Sequence, residues 1–325
     1  MAKLTLVTRS TSEYLYLTSA WFRALIEPYF DIEPYRPEHT YHAHQHCVLA
    51  SYVDVLEKQT WYEPLLASGC RLLVEHLGDS DVDRITSGTD QQLVLRNPNW
   101  MWYNACLEWS WYQLDQYTPN RHYSYNFLML MNLKRWHRDR IVRDLHTVLP
   151  EALYSYASQG RELPGTPPAN IPWRGWLNPA WYDSTPYTVV VESYMRSRGW
   201  SADPASTNYK TEVSEKIFKP MLGQHPFLVY GSVDTLKYLR REGFATYDNL
   251  WDETYDTVVE DTPRFEQVTQ QVLSAVERYN YRTFQLTPDT VERIRHNYAR
   301  LFDRTLVQQR FTAEVVGDIM TWWNP

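Results

Sequence analysis

Val189–Tyr194 reads VVVESY, and Thr211–Ser232 reads TEVSEKIFKPMLGQHPFLVYGS. Together they spell strand, loop, helix and strand, with Glu215 and Lys216 adjacent at the start of the helix. The positive end of a helix dipole and its free N–H groups favour anions. A carboxylate and an ammonium at that place suit a ribose hydroxyl pair and a phosphate, the two parts of a nucleoside diphosphate. A solvated ion pair at a helix start is the plain alternative.

The same alternation extends on both sides of this stretch. Lys3–Thr8 (KLTLVT) reads as a first strand, and Ser12 as the cap of a helix continuing through Leu15, Leu25 and Ile26. Cys47–Ser51, Arg71–Glu75 and Gln92–Leu95 are short apolar runs that read as strands, with a polar helical stretch at Tyr52–Trp61. Trp100–Tyr112 reads as a helix that is apolar or aromatic almost throughout. The pattern breaks at Tyr117–Tyr123 (YTPNRHY), and a second series begins: strand Asn126–Met131, basic loop Asn132–His137, helix Arg138–Leu149. Arg161–Pro186 holds six of the 19 prolines together with several tryptophans, so it is expected to be irregular. Strands follow at Thr188–Glu192 and Pro226–Tyr230, and helices at Ser214–Met221, Asp234–Arg241 and Asp261–Tyr279. Another helix runs from a Thr287-Pro288 start to about Gln309, and a last one from Thr312 to about Trp322. Strands separated by helices point to parallel α/β sheets covered on both faces, here as two Rossmann-like domains facing across a cleft, with C-terminal helices. The expected boundaries are 1–118, 119–310 and a terminal helix at 311–325.

Composition narrows the function. Lys and Arg total 32 against 39 acidic residues, a net charge of -7, which argues against a general polyanion binder. Cys47, Cys70 and Cys106 form an odd set without CxxC spacing, so neither a disulfide framework nor a structural zinc site is expected. The N-terminal run lacks a signal-peptide core, and no window approaches a membrane-spanning length, so a cytoplasmic protein is expected. GxxxxGK[ST], GxSxG and HExxH are all missing, and with them support for those enzyme classes.

The run V-E-S (Val191–Ser193), the S-E-K-I-F-K-P-M-L helix (Ser214–Leu222) and H-P-F-L-V-Y-G-S (His225–Ser232) resemble the donor-binding signature of α1,3-fucosyltransferase-like glycosyltransferases. That family shows F-E-N-S, then T-E-K, then an apolar strand ending in Gly. N-F-L-M-L-M-N (Asn126–Asn132) and H-R-D-R-I-V-R-D-L (His137–Leu145) are similar to its S-N…R segment. The resemblance spans Phe127–Ser232; Ser replaces Thr in S-E-K, and the Asn of E-N-S is lost. It implies a GT-B architecture, with residues 1–118 as acceptor domain and 119–310 as nucleotide-sugar domain, and inverting transfer without a metal or other cofactor. Position by position, it implies that Glu215 holds the ribose hydroxyls and Lys216 the diphosphate, with Ser214 beside them. Arg138 would neutralise the same diphosphate, Arg135 and Arg140 lie near enough to substitute, and Glu192 would sit by the sugar. A leaving diphosphate needs fixed positive charge of this kind when no metal supplies it. The family's base is a carboxylate after a strand of the first domain; here the candidates are Glu75 and then Asp79.

A looser similarity links L-K-Y-L-R-R-E-G-F-A-T-Y (Leu236–Tyr247) and W-D-E-T-Y-D (Trp251–Asp256) to glycosyltransferase-like proteins of bacteria and tailed phages. It keeps open a rival reading, a DNA glycosyltransferase acting on a hydroxymethylated base, which would need a basic strip from Arg135, His137, Arg138, Arg140 and Arg143. A second rival is a non-catalytic sugar- or nucleotide-binding protein with the same fold. The expected partners are thus a nucleotide-sugar donor and either an acceptor carbohydrate or a modified base. The Trp-rich stretch Arg161–Trp181 is a candidate acceptor or lid element. Asp252, Glu253 and Asp256 suggest metal ligands, although a hydrogen-bonded turn explains them as well. On a strand, His42, His44 and His46 would share one face, open to a transition metal, to acceptor contacts or simply to solvent.

Overall fold

The computed structural model describes residues 4–9, 19–51, 61–76, 92–96, 99–165, 176–193, 195, 211 and 213–323. The chain divides into two compact units, Met1–Leu107 with Arg304–Pro325, and Glu108–Asp303. The sequence had placed these boundaries at 118/119 and 310/311.

In the first unit, β1 (Leu4–Thr8), β2 (Phe30–Pro34), β3 (His46–Ser51), β4 (Arg71–His76) and β5 (Gln92–Arg96) form a parallel sheet of order β2-β1-β3-β4-β5. Helices α1 (Ala20–Ile26), α2 (Glu63–Ala67) and α3 (Trp100–Trp111) belong to the same run of chain, and the unit boundary falls within α3. Leu6, Val48, Leu49, Leu73 and Val74 are fully buried, as central parallel strands require. Val7, Val48, Ala50, Leu72 and Val74 pack with Tyr62 and Leu65 at α2. Their positions alternate along the strands, so this is one face of the sheet.

The second unit repeats the plan. Its sheet has β6 (Leu128–Met131), β7 (Leu153–Tyr156), β8 (Thr188–Val191) and β9 (Phe227–Tyr230) in the parallel order β7-β6-β8-β9. Around it lie α4 (Trp136–Asp144), α5 (Pro179–Asp183), α6 (Glu215–Leu222), α7 (Thr235–Arg241), α8 (Asp261–Arg278) and α9 (Pro288–Leu301). In both sheets the chain starts in the interior, steps to one edge, then returns past its start. That leaves a topological switch point between β6 and β8, where ligands of such sheets lie at the carboxyl ends of the strands.

The chain then returns to the first unit through α10 (Arg304–Phe311), a π-helical turn Thr312–Val316 and α11 (Gly317–Trp323). Tyr103 donates to Glu314 at 2.7 Å, and Arg71 donates to the Trp322 carbonyl at 2.7 Å beneath the Trp322 and Trp323 rings. Phe311 packs on Phe22 and Trp100 at ring separations of 5.2 and 6.0 Å.

Several expectations need correcting. The helix expected at Arg138–Leu149 begins at Trp136 and ends at Asp144, because Arg135 already has extended N-cap geometry. The helix expected to reach Gln309 ends at Leu301, and a separate helix starts at Arg304. The histidines do not lie along a strand. The chain turns at 43–45, the His46 N–H bonds back to the His42 carbonyl, and only His46 belongs to β3. Strands β2 and β7 had not been expected. Ser12, Leu15, most of Tyr52–Trp61 and residues 166–175 of the Trp-rich stretch lie outside the described residues. Among the described residues, no helix is long and apolar enough to cross a membrane.

Candidate functional site

The second unit places several charged side chains at the carboxyl ends of β6 and β8. β6 leads through Leu133 and Arg135 into α4, which carries His137 and Arg138 in its first turn. β8 runs directly into Glu192, whose N–H donates to the Tyr230 carbonyl and extends the pairing with β9 by one residue. Ser214 is the N-cap of α6, its hydroxyl accepting the Lys216 N–H at 3.3 Å, so Glu215 and Lys216 occupy the first turn.

These pieces are fastened to one another. The Glu192 carboxylate is 1 % exposed and accepts both the N–H of Ser214, at 3.2 Å, and its hydroxyl. The carboxylate thereby holds the start of α6 against the end of β8. Burial raises the Glu192 carboxyl above its ordinary value, against the pull of the Lys216 ammonium and the Ser214 hydroxyl. Lys216 Nζ donates to Ser193 Oγ at 3.1 Å, Ser214 Oγ at 3.2 Å and Glu215 Oε1 at 3.1 Å. Burial alone would raise Glu215 too, but the ammoniums of Lys216 and Lys219 hold it below its ordinary value, and it stays ionised.

Arg138 is 2 % exposed, and Nη1 donates to the Leu133 carbonyl at 2.8 Å. Its Nε is buried and has no hydrogen-bond acceptor among the described residues. Burial, then the neighbouring Arg135, lowers its pKa, while Tyr156, Glu192 and Glu215 act the other way. A guanidinium has no accessible neutral form, so Arg138 is a fixed buried charge. His137 Nε2–H donates to the Glu192 carbonyl oxygen at 3.2 Å, and burial, then Arg138, push the imidazole down to about 4. It is neutral near pH 7 and adds no charge.

The structure therefore brings Arg135, Arg138, Glu192, Ser214, Glu215 and Lys216 to one switch point. Arg135, Arg138 and Lys216 outnumber the two carboxylates beside them, Glu192 and Glu215, in a chain whose net charge is -7. A guanidinium, an ammonium and a helix start converge there, the components of an anion site, and the Glu215 carboxylate can accept from hydroxyls. Glu75 lies in β4 with its backbone opposite Ser51 and Leu95, and the description of it stops at the backbone. Asp79 lies outside the described residues.

Of the residues named for a nucleic-acid strip, Arg143 is exposed and bonded to Asp144 at 2.9 Å. His137 and Arg138 are buried, and Arg140 is paired with Asp144 at 3.2 Å and with Glu266 at 2.7 Å. Asp252, Glu253 and Asp256 are not arranged around a common point for a metal. Asp256 accepts the Leu236 and Lys237 N–H groups at the start of α7, Glu253 accepts from Tyr247 N–H and Arg240, and Asp252 accepts from Thr254 N–H.

One supporting residue had no sequence signal. Arg264 of α8 is 1 % exposed and donates to the carbonyls of Gly231, Val258, Val259 and Met195, and to Asp261. It ties the ends of β9 and of the segment after β8 to α8, yet in the sequence it is one arginine in an amphipathic helix.

No family model matches the sequence, and no curated protein does. Among solved structures, a crystal structure of an α1,3-fucosyltransferase aligns over 94% of this chain and 92% of its own, with a TM-score of 0.46 and 8% identity. The structures titled as that enzyme with GDP and with GDP-fucose align with TM-scores of 0.42 and 0.40, again at 8% identity, over 94% and 93% of this chain and 92% and 91% of theirs.

Proposed function

We propose that this protein is a glycosyltransferase that binds a nucleoside-diphosphate sugar at the carboxyl ends of β6 and β8 and transfers the sugar, with inversion, to an acceptor hydroxyl. The observation that carries the reading is Arg138, a buried guanidinium whose Nε has no acceptor among the described residues, at the switch point of a parallel sheet beside Lys216 in the first turn of α6. The diphosphate would lie against Arg138 and Lys216, with Arg135 adjacent. Glu215, ionised, would accept from the ribose hydroxyls. Glu192, expected beside the sugar, has a positioning part as well. With both oxygens committed to Ser214, it positions the start of α6.

As the anomeric bond breaks, negative charge grows on the departing diphosphate. A guanidinium and an ammonium already fixed there stabilise it without reorganising, an effect of about 3 kcal/mol per contact. That is the function a metal would otherwise serve, so the reading needs none at the diphosphate. For the base that accepts the acceptor's proton we keep Glu75, then Asp79. Glu75→Gln should abolish turnover and leave donor affinity unchanged.

The experiment is calorimetric titration of the full chain with GDP, UDP and ADP and their sugars, with and without EDTA, followed by a transfer assay on the sugar that binds. One nucleoside diphosphate should bind equally well in EDTA, and Arg138→Met should bind it at least about 10-fold more weakly, the loss of a hydrogen bond to a charged group. Binding without sugar release to any acceptor or to water would assign the site to a non-catalytic binder. No binding by the native chain would remove the proposal.

A further inference from the structure

Glu33, His39 and His46 meet in the first unit, and the strand register explains how. β1 pairs with β2 on one side and β3 on the other, with Glu33 opposite Val7 and His46 opposite Thr5. Thr5 and Val7 are two residues apart, so Glu33 and His46 leave the same face of the sheet and reach over β1. His39 comes from the connection between β2 and β3. One ligand atom from each residue lies within 4.8 Å of the other two, and His46 Nε2 is 3.7 Å from Glu33 Oε1.

The surroundings prepare these atoms for a common partner. Glu33 Oε1 is buried and accepts no hydrogen bond from a described residue. The His46 ring is gripped at Nδ1, which lies 3.0 Å from the His42 N–H nitrogen and 3.1 Å from the His42 carbonyl oxygen. The His42 N–H donates to Nδ1; metal binding at Nε2 would move the ring proton to Nδ1, where the His42 carbonyl oxygen is placed to accept it, the outer hydrogen bond of a ligating imidazole. The Tyr41 ring stands edge-on to both imidazoles, at 4.8 Å from His39 and 5.4 Å from His46. Tyr41 is itself fixed by stacking on Tyr35 and by the Arg36 N–H on its hydroxyl at 2.7 Å. The buried Glu33 oxygen without a donor faces both imidazoles, and a cation between the three would satisfy it.

We propose that Glu33, His39 and His46 bind one divalent transition-metal ion of the Zn²⁺ class, with a fourth position left to water. Two imidazoles and one carboxylate suit such an ion. They offer no thiolate for a soft ion and too few oxygens for Ca²⁺ or Mg²⁺. Bonds of about 2.0–2.1 Å in a tetrahedron place ligand atoms roughly 3.3 Å apart, so the triangle must contract by on the order of 1 Å. His39 is exposed and can supply that movement by rotation. The ion would clip β2, the connection after it and β3 together across β1.

The test uses the untagged full chain, freed of metal with EDTA and titrated with ZnCl₂ by calorimetry, with Co²⁺ absorption reporting the coordination geometry. One ion per chain, micromolar or tighter, and a tetrahedral Co²⁺ spectrum are expected. His39→Ala and Glu33→Gln should each weaken binding by about 100-fold or more, since even groups outside the ligand set typically matter by about 10–100-fold. His39 is exposed, so its removal leaves the core untouched, and circular dichroism checks the fold of each variant. His44→Ala, which changes an exposed neighbour outside the group, should bind as the native chain does. Failure to bind at millimolar Zn²⁺, unchanged affinity in His39→Ala, or an equal loss in His44→Ala would each overturn the assignment.

Discussion

Replacing Lys216 with methionine keeps the aliphatic stem and removes the charge that organises the α6 start. Its ammonium makes three hydrogen bonds, to Ser193, Ser214 and Glu215, and lowers the pKa of both Glu192 and Glu215. A hydrogen bond to a charged group contributes about 1.5–3 kcal/mol, and the side chain is 27% exposed, so a loss of about 2 kcal/mol is expected near neutral pH. For a protein of this size each kcal/mol moves Tm by about 2–4 °C or less, so a fall of up to about 4–8 °C follows. The pH dependence has a definite sign. Glu192 is raised above 4.5 by burial, so its cost is absent below 4.5 and grows as pH rises through its folded value. Glu215 is held below 4.5, so the stability it draws from Lys216 is present above 4.5 and fades as pH falls through its folded value. Both make the Lys216→Met deficit larger at about pH 8 than at about pH 4. Adding Glu192→Gln to the variant should restore part of the loss at about pH 8 and little at about pH 4. Differential scanning fluorimetry of the native, single and double variants across this range measures it. A deficit independent of pH, or no recovery from Glu192→Gln, would refute the electrostatic reasoning.

His137 gives a further titration, with the same sign as Glu215 and opposite to Glu192. Its pKa falls from 6.5 to about 4 on folding, so the unfolded chain binds more protons in that window and stability drops by about 3 kcal/mol as pH goes from 6.5 to 4. Denaturant midpoints against pH should fall less steeply for His137→Gln than for the native chain. Gly223 has an ordinary helical φ of -71°, yet a Cβ there would lie 2.1 Å from the Tyr182 ring. Gly223→Ala should therefore cost about 1–3 kcal/mol or more in urea denaturation, and far less in a Tyr182→Leu background. Arg264→Met leaves four carbonyls and Asp261 without their donor, and a loss of about 3 kcal/mol or more should appear in the unfolding midpoint.

What could be read in the sequence followed from burial. LTLVT, CVLAS, RLLVE and VVV are interior parallel strands, apolar on both faces, and such runs stand out. FDIEP and LYSY form β2 and β7, each at the edge of its sheet, and their burial is partial. Polar residues and a proline are tolerated at an edge, so neither segment shows a clean period of two. The Glu215-Lys216 pair was legible because adjacency fixes it at a helix start. The role of Glu192 was not, since its bond to Ser214 spans 22 residues and follows from the β8–α6 geometry. The Glu33–His39–His46 group was hidden for the same reason. Period-two reasoning pointed to His42, His44 and His46, whereas the chain turns before His46 and the acidic partner arrives on an unrecognised edge strand. The return of Arg304–Pro325 to the first unit hangs on contacts such as Arg71 with the Trp322 carbonyl, 251 residues apart, for which no local pattern exists.

The most direct test of the donor assignment is hydrogen–deuterium exchange of the full chain with and without a saturating nucleoside diphosphate. Binding at the switch point should slow exchange in two separate segments at once, Asn132–Arg138 and Ser214–Ile217, and Lys216→Met should abolish both effects. Protection confined to other segments, or none while the nucleotide is bound, would contradict the placement of the donor at the carboxyl ends of β6 and β8.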